Sequence, residues 1–186
     1  KIANWFQANK LLMNATKTKF MVFNSKGNRQ PIVNIELQIK GVSIPQVEYT
    51  NFLGLIIDHK LNWDFHITHI SKKISMAIGI LSKVKSFLPS STLYTLYNTL
   101  ILPHFNYCGL VRGRAAQGRL HKLIILQKRA IRICSDAHYR AHCDPLFRAL
   151  GTLPLTKLIS FKTGIFMYKL KHDLLPSVFS DYFIQQ

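Results

Sequence analysis

Residues 49–58 read Tyr49-Thr-Asn-Phe-Leu-Gly-Leu-Ile-Ile-Asp58, and the character of the chain changes on their C-terminal side. Their apolar run predicts a strand over 47–57, in which Gly54 permits a bulge or a close approach of the backbone. From Trp63 onward, apolar residues recur at three- and four-residue steps, which is the period of an amphipathic helix. These residues are Ile67, Ile70, Ile74, Ala77, Ile78, Leu81 and Val84. We therefore predict an α+β fold, with a short antiparallel β-rich part to about residue 60 followed by a predominantly helical region.

The other elements are predicted from periodicity and from turn residues. In the first part of the chain they are a helix end over 3–13, a buried strand over 19–23, a turn-rich loop over 25–31, and a half-buried strand over 32–39 paired with 42–44 through a turn at Lys40-Gly41. In the second part they are helices over 92–102, 119–136, 144–150 and 154–174, with a loop over 113–118. We expect Pro89-Ser-Ser-Thr92 to supply an N-cap for the helix over 92–102, and Asp144-Pro145 to cap the short helix before Gly151. The spacing of four aromatic residues is typical of core, and these are Tyr94, Tyr97, Phe105 and Tyr107.

The chain carries a large excess of positive charge. Its 186 residues include 25 lysines and arginines against 8 acidic residues, a formal net charge of +17, while 48% apolar residues are enough for a hydrophobic core. A solvated surface does not require such an excess of one sign, so we expect polyanionic partners, nucleic acid before membrane. No apolar run reaches the roughly 18 residues of a membrane span, and we expect no signal peptide. We expect an intracellular chain, cytoplasmic and/or nuclear, with no membrane partner.

The cysteines and histidines leave one metal alternative open. Three cysteines without a CxxC pair give no disulfide framework, which favours a reducing compartment. Cys134-x3-His138-x3-His142-Cys143 has a spacing that zinc sites use. Because Cys134 falls on the apolar side of its helix, we expect a buried structural cysteine and loop histidines, and no metal site, with zinc as the alternative.

Two segments and their spacing resemble a known family. Residues 5–23 follow the pattern W-x3-N-K-L-x2-N-x2-K-T-x2-M-x-F, and residues 58–70 follow D-x2-L-x-W-x2-H-I-x2-I. Together with residues 49–58 and with weaker matches further on, they resemble the C-terminal part of the reverse transcriptases of non-LTR retrotransposons (LINE-type, jockey-like). The resemblance implies that residues 1–60 are the C-terminal end of the polymerase palm with a primer-grip-like hairpin. It implies that residues 61–186 are the helical thumb and the helical region that follows it.

The resemblance also implies that segments upstream of this chain carry the catalytic residues. It places the catalytic aspartates before residue 1, so the chain reads as a fragment that works with the upstream fingers and palm of the same polyprotein. Two-metal nucleotidyl transfer needs carboxylates that bridge Mg²⁺ ions. The eight acidic residues here are scattered singly, so we expect no cofactor in this chain, Mg²⁺ in the intact polymerase, and no polymerase activity from the chain alone. The implied partners are RNA, DNA and RNA–DNA hybrid.

One departure from the family pattern falls at Arg112-Gly113, where the family usually has Trp-Gly. Replacing a large buried aromatic residue costs roughly 3–5 kcal/mol unless the site is exposed. We therefore expect either an exposed Arg112 or a locally insecure fold over 105–118, as in a decayed copy.

The candidate site residues fall into three groups. The resemblance places Lys17 near the incoming nucleotide, as a general acid or a phosphate contact; the alternative is a solvated lysine in a basic loop. It matches Phe52, Leu53 and Gly54 to the primer-grip hairpin; the alternative is a core strand with a glycine bulge. Basic residues on two helices suit phosphate contact without base readout, or else form solvated helix faces. They are Lys72, Lys73, Lys83 and Lys85 on the first helix, and Arg119, Lys122, Lys128, Arg129 and Arg132 on the later one.

Three hypotheses follow for the function. The first is a primer-template-gripping fragment of an RNA-directed DNA polymerase. The second is a catalytically dead, basic nucleic-acid-binding remnant of a transposon, and the third is a relic without activity. Salt-dependent binding separates the first two from the third, and a preference for RNA–DNA hybrid over duplex DNA separates the first from the second.

Overall fold

The computed structural model describes residues 2–23, 35–39, 41–113, 115 and 117–183. The chain divides into two compact units, Lys1–His66 and Ile67–Gln186. Helices and two small antiparallel sheets make up the structure, so the predicted α+β class is confirmed. The palm and thumb assignments of residues 1–60 and 61–186 stay predictions.

The first unit contains one short helix and two hairpins. Helix α1 spans Ile2–Ala8. Strands β1 (Leu37–Ile39) and β2 (Val42–Ile44) pair antiparallel, with Leu37 opposite Ile44. Strands β3 (Tyr49–Phe52) and β4 (Leu55–Asp58) form the second pair, with Tyr49 opposite Asp58. The predicted pairing through Gly41 is confirmed.

Three predictions in this unit are wrong or only partly correct. The strand over 47–57 is in fact the second hairpin, because the chain reverses at Leu53 (φ 49°) and Gly54 (φ 80°). The helix over 3–13 ends at Ala8, and the stretch over 19–23 makes only a parallel bridge from Phe20 to Gln46. These short segments lack enough buried apolar partners to extend further. The loop over 25–31 and the first part of the strand over 32–39 lie outside the described residues.

A tight turn after β4 leads into the first long helix. The buried carboxylate of Asp58 accepts hydrogen bonds from the backbone N–H groups of Lys60 (3.1 Å), Asn62 (3.2 Å) and Trp63 (2.8 Å). Leu61 (φ 50°) and Trp63 (φ 68°) adopt left-handed conformations that are unfavourable for such side chains. The Asp58 carboxylate therefore stabilises a strained turn, and Trp63 is buried beside it.

The second unit is helical. Its elements are α2 (Asp64–Val84, which begins in the first unit), α3 (Ser90–Leu100), α4 (Leu102–Asn106), α5 (Gly109–Arg112), α6 (Gln117–Cys134), α7 (Cys143–Ala149), α8 (Leu155–Lys171) and a 3₁₀ helix over Ser177–Tyr182. The apolar stripe predicted for α2 is buried from Ile67 to Leu81, with Val84 half-buried. Of the aromatic residues predicted as core, Tyr97 and Phe105 are buried, whereas Tyr107 is exposed.

Gln127 joins three helical segments through three hydrogen bonds, two of which are buried. Its Nε2 donates to the Tyr97 hydroxyl of α3 and to the Leu153 carbonyl, both at 3.0 Å. Its Oε1 accepts from the Leu155 backbone N–H at the start of α8, at 2.7 Å. Burial raises the pKa of Tyr97, and the hydrogen bond with Gln127 partly opposes that rise. This side chain fixes how α3, α6 and the start of α8 meet.

Several helices start at residues other than those predicted, and one glycine lies where two helices pack closely. The N-cap of α3 is Pro89, which lies inside the predicted Pro89–Thr92 segment but makes no side-chain cap hydrogen bond. The N-cap of α7 is His142, so the predicted cap at Asp144 is wrong. Asp144 lies inside the first turn of α7, where its charge favours the helix dipole. The predicted loop over 113–118 is shorter because α6 begins at Gln117. A Cβ at Gly113 would lie 2.7 Å from Cγ2 of Ile159 in α8, so glycine permits the close approach of α5 to α8.

Candidate nucleic-acid interface

The tip of the second hairpin presents apolar side chains to solvent. Leu53 and Gly54 are the two central residues, and φ above zero at both is the requirement of a type I′ turn. Phe52 is 60% exposed and Leu53 is 78% exposed. The alternative of a buried core strand with a glycine bulge is therefore wrong. The exposed tip offers an aromatic ring and a close backbone approach to any ligand of this unit.

Lys17 lies in a turn that Asn14 organises. The Asn14 side-chain oxygen accepts from the Thr16 hydroxyl (2.6 Å) and from the Lys17 backbone N–H (3.2 Å). The Asn14 carbonyl accepts from the Thr18 hydroxyl at 2.8 Å. The Lys17 ammonium group is exposed, while its backbone is held in place. Asn14 thus forms this turn, and the role of Lys17 stays a prediction.

The exposed side of α2 is basic. Lys72, Lys73 and Lys83 are exposed on the side opposite the buried isoleucine stripe, and exposed Lys85 follows the end of the helix. Asp64 is the acidic residue of this helix, and it lies in the first turn, away from the lysines. Cations on one face with apolar residues on the other form a surface that can follow a phosphate backbone.

Helix α6 has a similar arrangement with no acidic residue in its sequence. Lys122, Lys128 and Arg129 are exposed, whereas Arg119 and Arg132 are half-buried. The Nε of Arg132 donates to the Ala141 carbonyl at 2.9 Å, so this side chain also fastens the loop before α7. Sequence periodicity places a residue on a helix face, but it cannot reveal a contact with a loop nine positions later.

The charge excess is concentrated in the helical unit. Residues 67–186 contain 17 lysines and arginines and four acidic residues, whereas residues 1–66 contain eight and four. Solubility alone does not require so uneven a distribution. The helical unit is therefore the stronger candidate for binding a polyanion.

Arg112 is buried, so the first of the two expected alternatives, an exposed Arg112, is wrong. It is 2% exposed, and its Nη2 donates to the carbonyls of His104 and Phe105 (2.9 Å to the latter) at the end of α4. Lys162 Nζ donates to the next carbonyl, that of Asn106, at 2.8 Å. A helix C-terminus leaves carbonyls without intrahelical partners and carries partial negative charge. The guanidinium is accommodated because it satisfies these carbonyls, although burial lowers its pKa to about 10.

The pKa of His104 is influenced by residues of two other helices, which the sequence analysis did not connect with it. Burial lowers the pKa of His104 below its usual range, and Lys73, Arg112 and His69 lower it further. His69 and Lys73 are one helical turn apart, which sequence spacing reveals. Their proximity to His104 depends on how α2 and α4 pack, and no local pattern indicates it.

The acidic residues do not form a metal centre in the described part of the chain. No group of three or more His, Cys, Asp or Glu side chains among the described residues is placed to hold a metal ion. The carboxylate of Asp58 is occupied by three backbone N–H groups. The residues present do not fit the pair of Mg²⁺ ions that the polymerase resemblance implies.

The Cys134–Cys143 segment does not gather its four side chains around one point. Cys134 Sγ is buried and donates to the Leu93 carbonyl at 3.5 Å, while Cys143 Sγ donates to the Lys128 carbonyl at 3.8 Å. His138 and His142 are exposed. Burial raises the pKa of Cys134 to about 11, which opposes the thiolate that zinc needs.

None of the helices among the described residues is both long and apolar enough to span a bilayer. No protein-family model and no solved structure matches the chain.

Three curated relatives, all from Drosophila melanogaster, are similar to the chain. The probable RNA-directed DNA polymerase from transposon X-element is 23% identical over 154 residues, covering 81% of the chain and 16% of the relative. The probable RNA-directed DNA polymerase from transposon BS is 25% identical over 179 residues, covering 94% of the chain and 20% of the relative. The RNA-directed DNA polymerase from mobile element jockey is 26% identical over 136 residues, covering 72% of the chain and 14% of the relative.

The chain thus spans a fifth or less of the length of each of these relatives. The matches run through both compact units, since the longest covers 94% of the chain. Over most of its length, the chain is similar to the RNA-directed DNA polymerases of non-LTR retrotransposons.

Proposed function

We propose that the chain is a primer-template-binding fragment of an RNA-directed DNA polymerase. In this proposal the hairpin tip at residues 52–54 contacts the primer end, and the basic faces of α2 and α6 follow the backbone of an RNA–DNA hybrid. The observation that carries the proposal is the pair of exposed basic helix faces in a chain that is similar to such polymerases. We further propose that residues 1–60 act as the palm end and residues 61–186 as the thumb and the region after it.

The chemistry belongs, in this proposal, to other parts of the parent polyprotein. Nucleotidyl transfer needs carboxylates that bridge two Mg²⁺ ions. The Asp58 carboxylate accepts three backbone hydrogen bonds within its turn, and no two acidic residues are adjacent in the sequence. The chain contributes binding, with Lys17 as a phosphate contact for the incoming nucleotide once the upstream fingers and palm are joined to it. The site of action is where template RNA and target DNA are found, in the cytoplasm and/or the nucleus.

Fluorescence anisotropy with a labelled RNA–DNA hybrid tests the proposal. The logarithm of the association constant falls linearly with the logarithm of the salt concentration, with a slope of about −0.9 per neutralised phosphate on duplex DNA. We expect the slope to lose about one to two units when Lys72 and Lys73 are both replaced by Glu, because two phosphate contacts are removed.

A matched control makes the same charge change elsewhere. Lys169 and Lys171 lie on α8 and are exposed, so the pair Lys169→Glu and Lys171→Glu changes the net charge equally. If both double variants lower the slope equally, the α2 face has no special role and only general charge attraction remains. Binding that is undetectable or insensitive to salt would refute the proposed function.

The remnant hypothesis differs in one measurable respect. A generic basic module binds duplex DNA and hybrid alike, because phosphate contacts carry no information about the bases. A surface shaped for a polymerase substrate distinguishes the A-form-like geometry and the 2′-hydroxyl groups of a hybrid. Preference for hybrid therefore separates the two.

A further inference from the structure

The aromatic turn, residues 138–141 between α6 and α7, displays a tyrosine ring and a guanidinium side by side. The Ala141 N–H donates to the His138 carbonyl at 2.8 Å, which closes a turn with Tyr139 and Arg140 at its two central positions. The centroid of the Tyr139 ring lies 4.5 Å from that of His138 and 5.0 Å from Cζ of Arg140, a cation–π contact. Tyr139 is nevertheless 66% exposed. The turn therefore presents a large aromatic surface to solvent.

The backbone of the aromatic turn is held by side chains from both neighbouring helices. Arg132 Nε in α6 donates to the Ala141 carbonyl at 2.9 Å, and buried Cys143 Sγ in α7 lies 3.8 Å from the same carbonyl. Within the turn, His138 Nδ1 accepts from the Arg140 backbone N–H at 3.3 Å. Binding to a surface that is already ordered loses little conformational entropy. The exposed ring is therefore prepared for a ligand.

The segment that contains the aromatic turn also packs on helix α6, which carries exposed basic residues. Cys143 Sγ lies 3.8 Å from the Lys128 carbonyl. The side chains of Lys128 and its neighbour Arg129 are exposed. The acidic residues of the segment, Asp136 and Asp144, lie before and after the four residues of the turn. The aromatic turn thus adjoins a helix whose cations can neutralise phosphates.

We propose that the aromatic turn binds one unpaired base of single-stranded RNA, which stacks on the Tyr139 ring while Arg140 contacts a phosphate beside it. This rests on the proposed function and adds a single-stranded segment to its substrate. Every base has a π-face, so stacking on an aromatic ring accepts any sequence. A base inside a duplex is already stacked on its neighbours, so the ring favours unpaired bases. Arginine has five N–H donors, so donors remain for a phosphate while Cζ stays over the ring.

Base stacking and phosphate contact affect binding in different ways. Tyr139→Ala removes the ring without changing the charge, so the affinity for single-stranded RNA should fall about fivefold or more while the salt slope stays unchanged. Tyr139→Phe keeps the ring and should keep the affinity of the parent chain. Arg140→Gln removes one cation, so it should reduce the salt slope on a single strand by about 0.7.

Fluorescence anisotropy with three labelled ligands tests the aromatic turn in the 186-residue chain. The first ligand is a blunt RNA–DNA hybrid, and the second is the same hybrid with an RNA overhang of about eight unpaired nucleotides. The third has the same overhang built from abasic sites, which keep the phosphates and remove the bases. We expect Tyr139→Ala to weaken binding of the second ligand about fivefold or more and to leave the other two unchanged.

Tyr168→Ala is the matched control. Tyr168 is 60% exposed, and its ring centroid lies 4.3 Å from that of His172, so it too is an exposed tyrosine beside an imidazole. It lies on α8, outside the aromatic turn. We expect this variant to bind all three ligands as the parent chain does.

The outcomes separate the aromatic turn from the proposed function. A loss that is confined to the unpaired bases and to Tyr139→Ala supports the stacking site. An equal loss with the abasic overhang, or an equal loss in Tyr168→Ala, overturns it. Salt-sensitive binding of the blunt hybrid with no effect of Tyr139→Ala on the overhang overturns the site and leaves the proposed function standing. Binding of single-stranded RNA that Tyr139→Ala weakens, without binding of the blunt hybrid, supports the site and overturns the hybrid as substrate.

Discussion

Replacing Asp58 by alanine should unfold the turn that joins the second hairpin to α2. The carboxylate is 2% exposed and accepts three backbone hydrogen bonds, from Lys60, Asn62 and Trp63, at 2.8 to 3.2 Å. Hydrogen bonds to charged groups contribute about 1.5–3 kcal/mol each, and removing one side of a buried charged interaction costs about 3–5 kcal/mol in total. The left-handed conformation of Leu61 and Trp63 adds roughly 1–2 kcal/mol of strain per residue that the carboxylate no longer opposes.

This loss is large for the first unit. A unit of about 66 residues has an unfolding free energy of about 3–10 kcal/mol. With a urea slope of about 1–1.5 kcal/mol/M, a loss of about 3–5 kcal/mol lowers the midpoint by about 2–5 M. Asp58→Asn keeps one side-chain oxygen acceptor, so its midpoint should fall between those of the parent chain and Asp58→Ala.

Tryptophan fluorescence reports this unit directly. The chain has two tryptophans, and Trp5 is exposed, so a Trp5→Phe background leaves buried Trp63 as the single emitter. We expect Asp58→Ala to shift Trp63 emission to the red and to lower its urea midpoint, while helix content measured by circular dichroism falls less. Asp181→Ala, at an exposed acidic residue, is the control and should change neither. Unchanged Trp63 emission and midpoint in Asp58→Ala would refute the role of the carboxylate.

The remaining predictions concern stability and reactivity. Gln127→Leu should lower the free energy of unfolding by about 2–4 kcal/mol in urea denaturation, because two buried hydrogen bonds and one part-buried hydrogen bond are lost. A loss below about 0.5 kcal/mol would contradict this. Gly54→Ala should lower the free energy of unfolding by about 1–2 kcal/mol, because the φ of Gly54 is 80°. Gly164→Ala in α8 is the control and should raise it by about 0.5–1 kcal/mol, because an added Cβ there has open space. Equal effects of the two substitutions on the free energy of unfolding would refute the turn geometry. Cys134 in the folded chain should resist maleimide at pH 8, because a pKa of about 11 leaves only about one in a thousand of its thiols as thiolate. Half-buried Cys108 should react under the same conditions. Early labelling of Cys134 would contradict its burial.

The helical unit was the more predictable part of the fold. The repeat from Ile67 to Leu81 is long and strictly amphipathic, so its buried face follows from the sequence. The second hairpin was harder, because Leu53 occupies a left-handed turn position where Asn or Gly is the usual signal. The helix starts were also missed, since Pro89 and His142 take the N-cap positions without making cap hydrogen bonds.

The candidate site was predictable only where a single element determines it. The exposure of Lys72 and Lys73 follows from the periodicity of α2. The accommodation of Arg112 depends on carbonyls at the end of α4, and the groups that lower the pKa of His104 come from α2 and α5. Such groupings arise from tertiary packing, so no local pattern in the sequence records them.

A competition between RNA–DNA hybrid and duplex DNA of the same sequence distinguishes a polymerase substrate surface from a generic basic surface. The labelled hybrid is bound to the chain at fixed salt and displaced by either unlabelled duplex. The account predicts that hybrid competes at lower concentration than duplex DNA and that its affinity falls steeply with salt. Equal competition by the two would contradict a polymerase substrate surface, and the chain would then be a generic basic binding module.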